Sequence, residues 1–169
     1  MKTLLILRHG KAQEGAPNGD KARELVERGK EDAALMGRLI RKKDLKLDGI
    51  VSSDAVRARQ TAEIAAESAH FDGKIEFDPD IYYGDLDTLV KIVQKLPDEW
   101  GCVLLVGHNP GLQDLSAALV EQGTEPPSLS TAGLARLDFE NAKRWKDASE
   151  GSVKLEGVYK PKDYRDNGN

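Results

Sequence analysis

Two of the three histidines in the chain follow its two most apolar short segments. Leu4–Leu7 runs into Arg8-His9-Gly10, and Cys102–Val106 runs into Gly107-His108-Asn109. A continuous apolar run of this length is typical of a strand buried on both faces. In an open α/β sheet the ligand crevice lies outside the carboxyl ends of the strands. If the two strands are parallel, both histidines therefore face the same crevice, whereas His70 follows an alanine-rich helix and is expected at the surface.

A third segment, Ile50–Thr61, adds an arginine to this crevice. The pattern predicts a strand that ends near position 51 and a helix capped by Ser52 or Ser53. Arg57 then lies in the first turn of that helix, at the carboxyl edge of the sheet. Arg59 is two residues further on, about 200° around the helix, so it is expected to be solvated and to serve no common site with Arg57.

The crevice would thus hold two guanidinium and two imidazole groups, from Arg8, Arg57, His9 and His108. Guanidinium groups bind phosphoryl oxygens in a bidentate manner, and a neutral imidazole is an available nucleophile near pH 7. The set predicts a site for a phosphoryl group. The chain has no His-Glu-x-x-His, Cys-x-x-Cys or P-loop spacing, and we expect neither a metal ion nor another cofactor.

Short apolar runs alternate with longer amphipathic segments along the chain, which predicts an α/β fold with a mostly parallel sheet. A third buried strand is predicted over Gly49–Val51. Residues 135–139 and 153–155 alternate between apolar and polar side chains, and we expect half-exposed strands near a sheet edge. Helices are predicted near residues 27–42, 86–96 and 112–120.

The composition narrows the functional class. A length of 169 residues indicates one domain, over 1–160, followed by a polar and flexible tail over 161–169. The net charge of −4 gives no reason to expect a nucleic-acid partner, and no apolar stretch is long enough for a membrane span. The first apolar run is too short for a secretory signal, and the single cysteine, Cys102, fits a reducing compartment. We therefore expect a cytoplasmic location.

Several ordered motifs resemble those of the histidine phosphatase superfamily, and within it the short SixA-type phosphohistidine phosphatases. The resemblance extends from Leu5 to about Phe139. It implies a phosphoglycerate-mutase-like fold, in which helices flank a mostly parallel sheet in three layers. The motifs are Arg8-His9-Gly10-Lys11-Ala12, Asp20-x-x-Arg23-x-Leu25-x-x-x-Gly29, Ser53 to Glu63, Tyr82-Tyr83, Val106 to Leu112, and Ser130-Thr131-Ala132.

The resemblance also implies a role for each of the four residues in the crevice. His9 would be the nucleophile that accepts the phosphoryl group, and Arg8 and Arg57 would bind the phosphate. His108 would stabilise the phosphoryl group during transfer. The substrate implied is a histidine-phosphorylated protein, such as a phosphocarrier or phosphorelay domain, and the protein is expected to be a monomer.

The surroundings of the four residues are less determined by the sequence. Gly10, Ser53 and Asn109 are expected to support the site. The His9 ring needs a hydrogen bond at its other nitrogen, which the Gly10 region or another nearby carbonyl would supply. A general acid, if there is one, would be Asp85, Asp87 or another carboxylate of the same region, where Glu76, Asp78 and Asp80 also occur, although each is a loop carboxylate in no motif. The sequence leaves the conformations of the long loops 10–21 and 121–130 open.

Two alternatives to a phosphohistidine phosphatase remain on the same residues. One is a phosphatase or mutase of small phosphate esters, and the other is a non-catalytic module that binds phosphorylated ligands. The presence of both His9 and His108 is unfavourable to the second, because arginines and backbone amides suffice for binding. A phosphohistidine substrate needs no general acid, since its imidazole can leave as a neutral ring, whereas an alkoxide depends on one.

Overall fold

A single sheet of six strands forms the centre of the protein in the computed structural model, which describes residues 1–165. The strands are β1 (Lys2–Arg8), β2 (Gly49–Ser52), β3 (Ile75–Phe77), β4 (Cys102–Gly107), β5 (Leu134–Phe139) and β6 (Lys154–Tyr159). Their order in the sheet is β3-β2-β4-β1-β5-β6. β3, β2, β4 and β1 run parallel to their neighbours, while β5 pairs antiparallel with β1 and with β6.

Helices cover both faces of this sheet. The helices are α1 (Glu27–Lys42), α2 (Val56–Ser68), α3 (Leu86–Gln94), α4 (Gly111–Leu119) and the short α5 (Pro161–Tyr164). Met36 and Ile40 of α1 pack with Ala62 and Ala65 of α2 in the core on one face, so small alanines allow α2 to lie close to the strands. α3 and α4 supply a second core on the other face, which closes over Trp145.

The register of the parallel strands brings three chain segments to one edge of the sheet. Arg8, the last residue of β1, lies opposite Gly107, the last residue of β4. Ser52, the last residue of β2, lies opposite Val106. The residue that follows each strand therefore emerges beside the others at the carboxyl edge.

Most of the predicted elements are confirmed, including the three buried strands, the helices and the three-layer α/β architecture. β5 lies near the sheet edge as predicted, second from it, but the half-exposed character predicted for this strand is wrong, because all its residues except Arg136 are buried. β3 was not predicted, since its three residues are only partly covered and show no apolar run. None of the helices among the described residues has the length and apolar character of a membrane span.

The chain beyond residue 160 differs from the flexible tail expected for 161–169. Pro161 is buried at the start of α5, and Arg165 donates two hydrogen bonds to Asp32 on α1, at 3.0 and 2.7 Å. Asp32 is almost fully buried, so this ion pair fixes the chain end against α1. Residues 166–169 lie outside the described residues.

Candidate active site

The His9 ring is held in one tautomer by the residue that follows it. Its Nδ1 lies 2.7 Å from the carbonyl oxygen of Gly10, and only a protonated Nδ1 can donate to a carbonyl. In the neutral ring the lone pair is then on Nε2. Arg57 Nε donates to this Nε2 at 3.3 Å, which agrees with that assignment. His9 therefore presents an unprotonated nitrogen beside a guanidinium group.

His108 lies beside His9, as the register of β1 and β4 requires. The two ring centroids are 5.2 Å apart. His108 Nε2 lies 2.8 Å from the hydroxyl of Ser53, which itself accepts a hydrogen bond from the Ala55 N–H. The Ser53 hydroxyl can thus donate to Nε2, which leaves the proton of the neutral His108 ring on Nδ1. That buried Nδ1 has no hydrogen-bond partner among the described residues.

The two arginines differ in how they are held. Arg8 donates from one terminal nitrogen to the carbonyl of Leu129 at 3.1 Å, and its buried Nε has no partner within residues 1–165. Arg57 is 6% exposed, and its terminal nitrogens donate to the carbonyl and the carboxylate of Asp20, at 2.8 and 3.1 Å. Arg8 therefore keeps a buried Nε without a partner, whereas every nitrogen of the Arg57 guanidinium makes one hydrogen bond and its two terminal nitrogens each keep a second N–H.

Burial and positive charge keep both imidazoles neutral. Burial, together with the charges of the nearby Arg57 and Arg8, lowers the pKa of His9 to about 4. Burial, followed by the charges of His9 and Arg57, lowers the pKa of His108 to about 3. Since a charged imidazole would be desolvated next to like charges, both rings carry no charge near pH 7.

A comparison with protein families identifies the family of the chain. The family model described as the histidine phosphatase superfamily (branch 1) matches residues 4–104, more than half of the chain. The chain belongs to the histidine phosphatase superfamily.

Two of the similar proteins are named as phosphohistidine phosphatases. The chain is 26% identical over 141 residues to phosphohistidine phosphatase SixA of Escherichia coli, which covers 82% of this chain and 86% of the relative. It is 32% identical over 152 residues to a phosphohistidine phosphatase SixA homolog of Haemophilus influenzae, at 83% and 90% coverage. The structure matches that of the protein histidine phosphatase SixA complexed with tungstate with a TM-score of 0.82, at 24% identity and 95% and 98% coverage. The last likeness confirms the phosphoglycerate-mutase-like fold.

The four residues that the superfamily resemblance singled out, Arg8, His9, Arg57 and His108, lie together in the structure. Ser53 also reaches the site, but in a different way from the prediction. α2 begins only at Val56 and its N-terminal cap is Ala55, so neither Ser52 nor Ser53 caps the helix. Ser53 instead supports His108.

Gly10 and Asn109 hold the surroundings of these residues. A side chain at Gly10 would meet the Gly29 carbonyl oxygen at 2.7 Å, so glycine allows the loop after β1 to pack on the start of α1. Asn109 donates to the carbonyl of Leu129 at 3.0 Å, the same carbonyl that accepts from Arg8. Through this contact the 121–130 loop positions Arg8.

Three further residues complete the site, and the sequence analysis did not assign them to it. Thr61, one helical turn after Arg57, accepts from the Gly10 N–H at 3.0 Å. Tyr82 donates its hydroxyl proton to Asp20 and lies edge-on to the His108 ring, with centroids 5.3 Å apart. The i, i+4 spacing from Arg57 could have indicated Thr61, whereas the positions of Asp20 and Tyr82 depend on the path of two loops.

Neither Asp85 nor Asp87 is arranged to donate a proton. Asp85 caps α3 by accepting from the Thr88 N–H at 2.9 Å, and this hydrogen bond lowers the pKa of the Asp85 carboxyl. A general acid needs a raised pKa, so the shift is in the wrong direction. Asp87 is exposed in the first turn of α3.

A cavity of about 310 Å³ opens beside His108, lined by Tyr82, Tyr83, Asn109 and the two carboxylates of Asp85 and Asp114. Larger surface hollows, of about 720 and 390 Å³, lie away from His9. This edge of the sheet is therefore the candidate site because two arginines and two neutral histidines meet there. The size of a cavity does not decide it.

Proposed function

We propose that the protein is a phosphohistidine phosphatase that removes the phosphoryl group from a histidine-phosphorylated protein through a phosphorylated His9. The state of His9 supports this most directly. Its ring is neutral, Gly10 holds the proton on Nδ1, and Nε2 carries a lone pair beside Arg57. A module that only binds phosphate has no use for such a nitrogen.

In the first step the Nε2 lone pair attacks the phosphorus of the substrate. The bond from phosphorus to the substrate nitrogen breaks, and its electron pair stays on the leaving ring, which departs as neutral imidazole because its other nitrogen carries a proton. The His9 ring becomes positively charged, and the hydrogen bond from its Nδ1 to the Gly10 carbonyl stabilises that charge. Arg57, the free Arg8 Nε and the free His108 Nδ1 are donors for the three phosphoryl oxygens, where charge is concentrated in the transition state.

In the second step water attacks the phosphorus of phosphorylated His9. The bond to Nε2 breaks, its electron pair returns to the ring, and inorganic phosphate leaves. His9 is then neutral again. The same donors serve both steps, because the phosphoryl group stays at one place while the attacking and leaving groups change.

The leaving group favours phosphohistidine over alkyl phosphate esters. General acid assistance to an alkoxide is typically worth ~10²–10⁴-fold, and hydrogen bonds lower the pKa of the Asp20 and Asp85 carboxyls, which keeps both ionised. An imidazole leaves without such help. The names of the two relatives, at 26 and 32% identity, support the same substrate class.

A phosphatase of small phosphate esters is the second candidate. The cavity of about 310 Å³ beside His108 is large enough for a small leaving group, which is the observation that favours it. In that case rates on phosphoserine or a sugar phosphate would equal those on phosphohistidine.

A turnover panel tests the proposal. We expect kcat/KM to be highest for a phosphohistidine peptide, lower for an aryl phosphate with a good leaving group, and lowest for phosphoserine and sugar phosphates, with a chelator present throughout. Protein quenched during turnover should carry an acid-labile phosphate that maps to His9.

His70→Ala is the matched control, because His70 is an exposed histidine that follows α2 and contacts Arg41. This variant should keep both the turnover and the labelling of His9. Equal or higher rates on phosphoserine would favour the second candidate, and turnover without a phosphorylated His9 would contradict the covalent mechanism.

A further inference from the structure

The carboxylate of Asp20 lies in the wall of the site, although negative charge is not expected next to a site that binds an anion. Asp20 begins a short 3₁₀ helix in the loop between β1 and α1. Its carboxylate accepts hydrogen bonds from Arg57 at 3.1 Å, from Arg23 at 2.9 Å and from the Tyr82 hydroxyl. Its carbonyl accepts from Arg57 as well. Arg57 therefore contacts the nucleophile with Nε and Asp20 with both of its terminal nitrogens.

Asp20 is ionised at every pH at which the protein would work. The hydrogen bonds from Tyr82 and Arg23 hold the pKa of this carboxyl well below its usual range. Asp20 therefore cannot supply a proton to a leaving group. Its side chain is 52% exposed, so one side of the carboxylate remains open to an approaching substrate.

A fixed negative charge at this place opposes the binding of phosphate alone, because like charges repel more strongly near a desolvated site. The cavity beside His108 has the same character. Among the described residues that line it are the carboxylates of Asp85 and Asp114 and the ring of Tyr82, and no lysine or arginine. The surroundings of the leaving group are thus aromatic and negative, while the phosphoryl donors are positive.

We propose that Asp20 is a specificity residue that selects a protonated imidazole as the leaving group. The inference rests on the proposed function and extends it. The Asp20 carboxylate would accept the N–H of the imidazole nitrogen that does not carry the phosphoryl group. A ring that is protonated there is positively charged before the reaction, and it leaves as neutral imidazole once the electron pair of the broken P–N bond returns to the other nitrogen. Alkyl and aryl esters have no such N–H, so the carboxylate only repels them.

Asp20→Asn distinguishes this role from simple anchoring of Arg57. The variant removes the charge and keeps the shape. We expect kcat/KM for a phosphohistidine peptide to fall about tenfold or more, as the loss of one charge-assisted hydrogen bond predicts. The rate on p-nitrophenyl phosphate should be unchanged or higher, and the inhibition constant for inorganic phosphate should fall severalfold. Asp20→Glu, which keeps the charge, should retain more phosphohistidine activity than Asp20→Asn.

Asp54→Asn is the matched control. Asp54 pairs with Lys21, the neighbour of Asp20, so this variant loses the same charge and one ion pair of the same loop without touching Arg57. It should leave the ratio of phosphohistidine to aryl phosphate activity unchanged. An equal loss on all substrates in Asp20→Asn, or no loss on phosphohistidine, would overturn the inference and leave the proposed function intact. Failure of the wild-type protein to cleave phosphohistidine would instead contradict the proposed function, and the inference with it.

Discussion

Buried polar groups at the carboxyl edge of the sheet differ from those in the rest of the protein in whether they have complementary partners. Away from the site, buried carboxylates have complementary partners: Asp32 is paired with Arg165, and Asp138 accepts from Thr3 at 2.9 Å and from Arg136 at 3.2 Å. At the site, two arginines surround two neutral histidines, and Arg8 Nε and His108 Nδ1 have no partner among the described residues.

The difference shows which groups serve the fold and which serve a ligand. Complementary pairs such as that of Asp32 stabilise the native state, because removing one partner leaves a buried charge. At the site, neighbouring positive charges and buried donors without partners are unfavourable for folding. The same donors are complementary in charge to a bound phosphoryl group. Variants at the site should therefore lose activity and keep stability, and variants at the buried pairs should do the reverse.

His9→Ala should give the largest effect on activity. Because the nucleophilic nitrogen is lost, we expect kcat/KM to fall on the order of 10³-fold or more, with the acid-labile phosphate absent. The urea midpoint should stay within the range of the His70→Ala control, since His9 is a buried polar group among cations. An active His9→Ala protein would contradict the covalent mechanism.

Removing either guanidinium should have the next largest effect on activity. A hydrogen bond to a charged group is worth about 1.5–3 kcal/mol, so Arg8→Ala and Arg57→Ala should each cost at least about tenfold in kcat/KM. Arg57→Lys should not fully restore the rate, because the planar fork is lost. Steady-state kinetics on the phosphohistidine peptide measures this, and full rescue by lysine would show that charge alone suffices.

The contrast between local and distant contacts also explains what the sequence could predict. The positions of His9 and His108 follow from two apolar runs, because each histidine comes directly after a strand and the strands are parallel neighbours in register. The direction of Arg57 follows from helical periodicity. These features depend only on short-range pattern and on a general property of parallel sheets.

The remaining features depend on contacts between distant segments. Asp20 meets Arg57 across 37 positions and Tyr82 across 62, so the path of two loops decides whether they meet. Polar residues in β5 suggested a half-exposed strand, but Asp138 is buried because Thr3 and Arg136 satisfy its carboxylate. The polar composition of the chain end likewise suggested a free tail, whereas Arg165 has a buried partner 133 positions away.

Arg165→Ala tests whether a buried ion pair away from the site stabilises the fold. The variant leaves the Asp32 carboxylate buried without its partner, and we expect the free energy of unfolding to fall by about 1–3 kcal/mol. The lower end of the range applies if water replaces the half-exposed guanidinium. Urea unfolding measures the loss, and kcat/KM of the folded variant should equal that of the wild type. Lys162→Ala, at an exposed position of α5, which Arg165 follows, is the control, and equal stability of the two variants would show that the pair is dispensable.

The two histidines should also make stability depend on pH. Burial lowers the pKa of His9 from 6.5 to about 4 and that of His108 from 6.5 to about 3. Between pH 6.5 and these native pKa values, the unfolded chain therefore binds protons that the native protein does not. The free energy of unfolding should therefore fall as the pH is lowered through this window, by up to about 1.4 kcal/mol per pH unit for each histidine. His108→Gln should reduce the slope measured by urea unfolding between pH 6.5 and 4.5. An unchanged slope would show that His108 is not held neutral.

Arg59→Ala should give the smallest effect and tests the assignment of the two faces of α2. Arg59 was expected to be solvated, but its guanidinium carbon lies 3.7 Å from the centre of the Phe77 ring on β3. This contact faces away from the site, as the 200° separation from Arg57 requires. A cation–π contact at a partly exposed position is worth about 0.5–1 kcal/mol, so stability should fall by that amount while kcat/KM changes less than about twofold.

Phe77→Leu should cause a similar loss of stability. In the Phe77→Leu background, Arg59→Ala should then cost less stability than it does in the wild type, which a double-mutant cycle in urea would measure. A larger loss of activity for Arg59→Ala than for Arg57→Ala would reverse the assignment of the helix faces.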